Sequence, residues 1–323
     1  MTRAWLAVMV AAIAMVLGGA SAQAQNAYIT NGDSNTVSVI ATESSKVTAT
    51  IPVGTKPVGV AVSPDGRHVY VANNGSNTVS VITTENNTVT ATIPVGMKPF
   101  GLAVSPDGSH VYVANHGSNT VSVITTESGA VATVPVGTNP FGVVVTPDGS
   151  HVYVVNNGSN TVSVIATASN TVIVTIPVGN FPTGAAVTPD GKYIYVANQV
   201  SFTVSVIATA RNMVTATIPV AVNSFSVGVA VTPDGSHVYV ANFSPNTVSV
   251  IETASNTVTA TIPVGGGPVG VAVTSDGSHI YVANESSGNV SVIATADNTV
   301  TATLPVGFAP KAFGLFITSV DHS

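Results

Sequence analysis

A motif of the type Tyr-Val-Ala-Asn recurs seven times along the chain, and this repetition limits the possible folds more than any other feature. The tyrosines of the motif are Tyr28, Tyr70, Tyr112, Tyr153, Tyr195, Tyr239 and Tyr281. Successive tyrosines are separated by 42, 42, 41, 42, 44 and 42 residues. A fixed period of about 40 to 45 residues is typical of propeller blades and of solenoids, in which one small unit is stacked repeatedly.

One repeat, residues 58–96, contains four short segments with the residue pattern of β-strands. These predicted strands are residues 59–63, 68–72, 78–83 and 88–94. Pro64-Asp65-Gly66 has the composition of a tight turn, because proline fixes φ and glycine accepts a positive φ. The repeat lacks the spacing of apolar residues that an amphipathic helix requires. Four antiparallel strands per repeat favour a propeller blade over a β-solenoid coil, which has fewer strands and parallel ones.

A serine lies between the two valines of the third strand in every repeat. These serines are Ser38, Ser80, Ser122, Ser163, Ser205, Ser249 and Ser291. In a propeller the sheets pack face to face, so both faces of such a strand are buried and the available volume is fixed. We expect a larger residue at this position to clash with the adjacent blade.

The two ends of the chain predict how the ring of blades closes. Tyr28 already belongs to the second strand of a blade. Residues 313–318, Phe-Gly-Leu-Phe-Ile-Thr, are similar to residues 100–105, Phe-Gly-Leu-Ala-Val-Ser, which form a first strand. We therefore expect residues 25–323 to form one all-β domain, a seven-bladed β-propeller with four antiparallel strands per blade. Its C-terminal strand would complete blade 1 and close the ring.

Residues 1–24 have the pattern of a signal peptide. Arg3 precedes an apolar run from Trp5 to Leu17, and Ala20-Ser21-Ala22 provides small residues for cleavage. The run is shorter than the about 20 apolar residues that span a bilayer, which argues against the alternative of an uncleaved anchor. We expect export to the periplasm, the cell surface or the medium, with no membrane span after cleavage.

Composition excludes several classes of site. Cysteine is absent, which excludes disulfides, thiolate metal ligands and a lipidated N-terminal cysteine. Charged residues make up 7% of the chain, against about a quarter in an average domain. The net charge of −6 gives no basic surface of the kind that nucleic acids require, so we expect no nucleic-acid partner.

The full repeat resembles a known family. Pro-Asp-Gly before Tyr-Val-Ala-Asn, followed by Asn-Thr-Val-Ser-Val-Ile and Thr-Val-Thr-Ala-Thr-Ile-Pro-Val-Gly, is similar to the YVTN family of β-propeller repeats. The resemblance covers residues 26–318. It implies an exported, seven-bladed propeller of the cell surface or periplasm, and it implies no particular activity.

The repetition argues against a metal or catalytic site in the turns. Six repeats share an Asp-Gly turn, at Asp65, Asp107, Asp148, Asp190, Asp234 and Asp276. In five repeats a histidine follows that turn, at His68, His110, His151, His237 and His279. Each copy lies on a different blade, whereas zinc needs its ligands about 2 Å from one point. We therefore assign no metal site, no cofactor and no catalytic residue.

Residues that break the repeat are the better candidates for a binding site. In a propeller the loops between blades and the loops between second and third strands share one face, the top face, and the Asp-Gly turns lie on the bottom face. Blades 7, 1, 2 and 3 place charged residues in top loops: Lys56, Lys98, Lys311, His116, Asp33 and Glu285. Blades 5 and 6 place aromatic residues there: Phe181, Phe202, Phe225 and Phe243. We expect an amphipathic site for an anionic ligand or a partner surface.

Three functions remain compatible with the sequence. The first is an exported, monomeric propeller that binds a small molecule or a protein through its top face. The second is a lactonase- or lyase-like enzyme, which would need an acid, a base or a metal converging on the channel mouth. The third is a structural component of a surface layer.

Overall fold

The seven repeats form the seven blades of a β-propeller. The computed structural model describes residues 25–220 and 226–318. The predicted signal peptide at residues 1–24 lies outside the described residues. Each blade is an antiparallel sheet in which the strands follow one another in chain order. The predicted fold class is confirmed.

The strands are six or seven residues long, except for one of five residues. Blade 1 contains β1 (Asn26–Asn31), β2 (Thr36–Ala41) and β3 (Lys46–Pro52); blade 2 contains β4 (Pro57–Val62), β5 (His68–Asn73), β6 (Thr78–Thr83) and β7 (Thr88–Pro94). Blade 3 contains β8 (Pro99–Val104), β9 (His110–Asn115), β10 (Thr120–Thr125) and β11 (Val131–Pro135); blade 4 contains β12 (Pro140–Val145), β13 (His151–Asn156), β14 (Thr161–Ala166) and β15 (Thr171–Pro177). Blade 5 contains β16 (Pro182–Val187), β17 (Tyr193–Asn198), β18 (Thr203–Ala208) and β19 (Met213–Pro219); blade 6 contains β20 (Ser226–Val231), β21 (His237–Asn242), β22 (Thr247–Glu252) and β23 (Thr257–Pro263). Blade 7 contains β24 (Pro268–Val273), β25 (His279–Asn284), β26 (Asn289–Ala294) and β27 (Thr299–Pro305).

The hydrophobic core lies between adjacent blades. In one example, Tyr112 and Val121 of blade 3 pack with Val143, Val152 and Val154 of blade 4. In blades 2 to 7 the first strand lines the central channel and the fourth lies at the rim, where its residues are largely exposed. Because every blade buries both faces of its middle strands, successive residues are buried there, Tyr70 and Ser80 among them, instead of alternating between buried and exposed.

The serine of the third strand has a second role besides its small size. Ser80 is buried, and its Oγ accepts a hydrogen bond of 2.9 Å from Nδ2 of Asn73, the last residue of the Tyr-Val-Ala-Asn motif. The same amide donates to Oγ1 of Thr78 over 3.1 Å. All seven blades repeat the bond to serine. The amide nitrogen of the motif asparagine is therefore satisfied inside the sheet, whereas its Oδ1 atom is buried without a hydrogen-bond partner in six of the blades.

The tyrosine of the motif connects neighbouring blades. The hydroxyl of Tyr28 donates to Oδ1 of Asn87, which lies between the third and fourth strands of blade 2, over 3.1 Å. Tyr239 reaches Asn298 of blade 7 in the same way, over 2.9 Å. Burial raises the pKa of Tyr28 to about 12. The hydroxyl therefore remains protonated and available as a donor at physiological pH.

The C-terminal segment closes the ring as the sequence predicted. The Tyr28 N–H donates to the Phe316 carbonyl over 2.8 Å, and the Thr318 N–H donates to the Asn26 carbonyl over 3.0 Å. This segment also bonds the next blade, since the Val60 N–H donates to the Phe313 carbonyl over 3.0 Å. It pairs through isolated bridges and not as a regular strand. Positive φ values at Ala312 and Gly314 account for this, because they interrupt the extended conformation.

Backbone hydrogen bonds establish which loops share a face. The Gly75 N–H, in the loop between β5 and β6, donates to the Thr55 carbonyl in the loop leading into blade 2, over 2.9 Å. On the other side, the Thr84 N–H donates to the Arg67 carbonyl over 2.9 Å, joining the β6–β7 turn to the Asp-Gly turn. The top and bottom faces are therefore divided as the repeat predicted.

Each Asp-Gly turn is held by its carboxylate. In blade 4, Oδ1 of Asp148 accepts a hydrogen bond from Oγ1 of Thr146 and another, of 3.0 Å, from the Ser150 N–H. These bonds, led by the one from Thr146, lower the pKa of Asp148 to about 2. The corresponding carboxyls with a pKa of about 2 are Asp107, Asp190 and Asp234. The glycine of the turn has a φ near 70°, which explains its recurrence.

Replacing Asp148 with asparagine should lower the melting temperature at pH 7, and this effect should shrink as the pH is lowered to 2. The folded-state pKa is below the value of about 3.9 for an unfolded chain, so the stabilisation is complete above that value. It is lost as the pH falls through the folded-state pKa of about 2. Circular dichroism melts between pH 7 and pH 2 measure the difference. Glu127→Gln, on the same face but outside these turns, is the control, and a difference for Asp148→Asn that is as large at pH 2 as at pH 7 would contradict this explanation.

Candidate functional site

Apolar side chains converge on the central channel at the top face. Four of them are buried, Val58, Val227, Val269 and Phe313, and three partly buried rings pack against these, Phe100, Phe141 and Phe243. Six are the second residue of an innermost strand or, for Phe313, its counterpart in the C-terminal segment. Phe243 reaches the channel from the loop after β21. We call these seven residues the mouth cluster.

The mouth cluster is held by ring contacts across the channel. The ring centroids of Phe100 and Phe141 are 3.8 Å apart. Phe313 meets Phe141 edge to face, with centroids 5.1 Å apart and planes at 87°. Its centroid is 5.9 Å from that of Phe100, at 78°. Because these three rings come from three blades, they cover the upper end of the channel and present an apolar surface to the top face.

His116 extends the mouth cluster towards blade 3. Its ring centroid is 6.3 Å from that of Phe100 and 6.4 Å from that of Phe141. Partial burial, and then the charge of Lys98, lower the pKa of His116. The imidazole is therefore neutral at pH 7, and Nε2 lies 3.3 Å from Nδ2 of Asn139, which donates to it.

The predicted lysines differ in their surroundings. Lys56 and Lys98 are exposed, with φ of 50° and 52°, and their backbone N–H groups each donate over 2.8 Å to an asparagine side chain of the preceding blade. Lys311 is partly buried and forms an ion pair of 3.1 Å with Glu285. Asp33 is exposed in the loop after β1. The structure thus brings Lys311 together with Glu285, and His116 together with Lys98.

The predicted aromatic residues lie in different surroundings. Phe243 belongs to the mouth cluster. Phe181 is exposed and Phe202 is partly buried, and both have positive φ values in their loops. Phe225 lies outside the described residues.

Sequence reasoning missed the phenylalanines that form the mouth cluster. Phe100, Phe141 and Phe313 occupy a repeated position, so they did not stand out as departures from the repeat. A signal was present, since the residue before the inner-strand glycine is phenylalanine in these three copies and valine or threonine in the other four.

Within residues 25–220 and 226–318, no three His, Asp or Glu side chains lie close enough to hold one metal ion. In the same residues we find no helix of the length and apolar character needed to cross a bilayer.

Comparison with known proteins places the chain among propellers. A family model described as YNCE-like beta-propeller matches residues 3–323, which confirms the resemblance seen in the repeat. A chain of the hydrazine synthase of Kuenenia stuttgartiensis is similar in structure, with a TM-score of 0.77 and 27% identity over 83% of this chain and 92% of that one. A functionally unknown protein from Desulfotomaculum acetoxidans has a TM-score of 0.77 and 17% identity, over 90% of this chain and 99% of that one. No curated protein matches the chain.

Proposed function

Since this chain belongs to the YNCE-like β-propeller family, we propose that it is an exported propeller that binds an anionic amphipathic ligand or partner through its top face. The leader pattern at residues 1–24 supports export. In this proposal the functional protein is a monomer located outside the cytoplasm. The similar hydrazine synthase is an enzyme by name, but one fold carries many unrelated activities, so its name does not assign that reaction here.

The observation that carries the proposal is the mouth cluster with cationic side chains beside it. The cluster offers aromatic surface from three blades at the centre of the face. Lys98 lies next to it, close enough to lower the pKa of His116, and Lys56 occupies the equivalent loop of the neighbouring blade. Neither ammonium group has an acid partner among the described residues. Aromatic surface flanked by unpaired cations is suited to an anion that also carries an apolar group.

The geometry favours binding over the lactonase- or lyase-like alternative. Glu285 is engaged in the ion pair with Lys311, and Asp33 lies in a separate exposed loop. The imidazole of His116 is directed to Asn139, an uncharged partner that does not raise its basicity. A structural role in a surface layer stays open as a third hypothesis, and it requires no ligand.

The double variant Lys56→Gln and Lys98→Gln should weaken binding of an anionic aromatic probe. With 8-anilinonaphthalene-1-sulfonate at low salt, we expect the dissociation constant to rise about tenfold, because loss of two nearby charges removes roughly 1.4 kcal/mol. Fluorescence titration measures the change. Lys192→Gln on the bottom face is the matched control and should leave the dissociation constant unaltered. Equal binding by the parent and the double variant would refute the top-face site.

A further inference from the structure

Charge is distributed unevenly between the two faces of the propeller. Among the described residues, the bottom turns carry eleven acids: Glu43, Asp65, Glu85, Asp107, Glu127, Asp148, Asp190, Asp234, Glu252, Asp276 and Asp297. The same turns carry four bases, Lys46, Arg67, Lys192 and Arg211, and Lys192 is paired with Asp190 over 3.0 Å. The bottom face is therefore strongly anionic, in contrast to the top face.

An apolar cavity of about 480 Å³ occupies the central channel between the two faces. Its upper end is at Phe313 of the mouth cluster, and its walls are the innermost strands of blades 2 to 7 together with the C-terminal segment. Valine, alanine, leucine and isoleucine side chains form most of the wall, and every lining residue is uncharged. A cavity of this size is within the range of sites that enclose small organic ligands, about 300 to 1,000 Å³.

Leu315 is an accessible apolar side chain of this wall. It is 71% exposed, whereas Leu102, at the equivalent position of blade 3, is 2% exposed between two blades. The positive φ values at Ala312 and Gly314 set the C-terminal segment apart from a regular inner strand. A leucine that lines the channel and remains accessible gains from contact with an apolar ligand.

The lower end of the cavity adjoins the aspartates of the bottom face. Its last lining residues are those at the start of the Asp-Gly turns, Pro64, Pro106, Pro147, Pro233 and Ser275. In each turn the next residue is an exposed aspartate. Hydrogen bonds within the turns hold the pKa of Asp107, Asp148 and Asp234 at about 2, so these carboxylates are charged at any physiological pH.

We propose that the channel is a second binding site, open to the bottom face, for a single apolar chain with a cationic head group. The apolar chain lies against Leu315 and the valines of the wall, and the head group lies among the carboxylates that follow the lining prolines. A polar chain would lose its hydration without finding hydrogen-bond partners in the wall. An anionic head group would meet like charges at the rim. This site is separate from the top face and does not depend on the function proposed for it.

Calorimetric titration of the mature protein with decyltrimethylammonium, below its micelle concentration and at low salt, tests the proposal. We expect one molecule to bind per chain. Tetramethylammonium, which has the head group alone, and decanoate, which has a similar chain with an anionic head, should each bind at least about tenfold more weakly. If decanoate binds as well as decyltrimethylammonium, or tetramethylammonium binds equally well, the proposal is wrong.

Two variants locate the site. Leu315→Trp should fill the cavity and weaken binding of decyltrimethylammonium at least about tenfold, while the backbone bond from Val62 to the Leu315 carbonyl is retained. Phe308→Trp, in the same segment but in a top-face loop, is the matched control and should bind as the parent does. If Leu315→Trp does not fold, the double variant Asp107→Asn and Asp234→Asn should reduce the preference for decyltrimethylammonium over decanoate. Unchanged binding by a folded Leu315→Trp protein, or an unchanged preference in the double variant, would overturn the proposal.

Discussion

Replacing Phe316 with alanine should lower the free energy of unfolding by about 3 to 5 kcal/mol. Phe316 is fully buried, in a cluster that includes Tyr28 and Ile29 of blade 1 and Tyr281 of blade 7. Removing the ring leaves a cavity at the place where the two ends of the chain meet, and the surrounding sheets cannot collapse into it. Urea denaturation followed by circular dichroism measures the loss.

The matched control for this prediction is Phe308→Ala in the same C-terminal segment. Phe308 is 77% exposed, so its truncation should change the free energy of unfolding by less than about 0.5 kcal/mol. A small effect of Phe316→Ala, comparable with that of Phe308→Ala, would mean that the C-terminal segment does not hold the ring closed.

The number of blades and the closure of the ring could be predicted because the repeat is local and regular. Every Tyr-Val-Ala-Asn motif marks one second strand, and its asparagine donates to the serine of the third strand in all seven blades. The similarity of residues 313–318 to a first strand then predicted that this segment pairs with β1. Recognising the same sequence in each copy was enough to predict these features, because copies of the same sequence adopt the same structure.

Contacts across the ring could not be predicted from the sequence. Phe100, Phe141 and Phe313 are far apart along the chain and meet only because the channel is narrow enough for three blades to share its mouth. The ion pair of Lys311 with Glu285 likewise requires the geometry of the closed ring. The accessible side chain of Leu315 depends on positive φ values at two residues, which an apparent match to Leu102 does not reveal.

Replacing Gly59 with alanine should lower the free energy of unfolding by about 3 kcal/mol or more. A Cβ atom at Gly59 would lie 2.0 Å from the carbonyl oxygen of Phe100 in the next blade. This contact recurs around the channel, since Gly101, Gly142, Gly184, Gly228, Gly270 and Gly314 each abut the backbone of the following innermost strand or C-terminal segment. The obstructing atom is backbone, so it cannot turn away as a side chain could, and the two innermost strands must move apart.

Gly129→Ala separates this steric effect from the conformational preference of glycine. Gly129 has a φ of 69°, and nothing lies within 4 Å of the position that a Cβ would take, so alanine there should cost only the about 1 to 2 kcal/mol of a left-handed backbone. At Gly59 the reverse holds: a Cβ atom would make a severe contact, but φ is not positive. Urea denaturation of both variants should therefore show the larger loss for Gly59→Ala. An equal or smaller loss would show that the innermost strands are free to separate, and that the width of the channel is not set by these glycines.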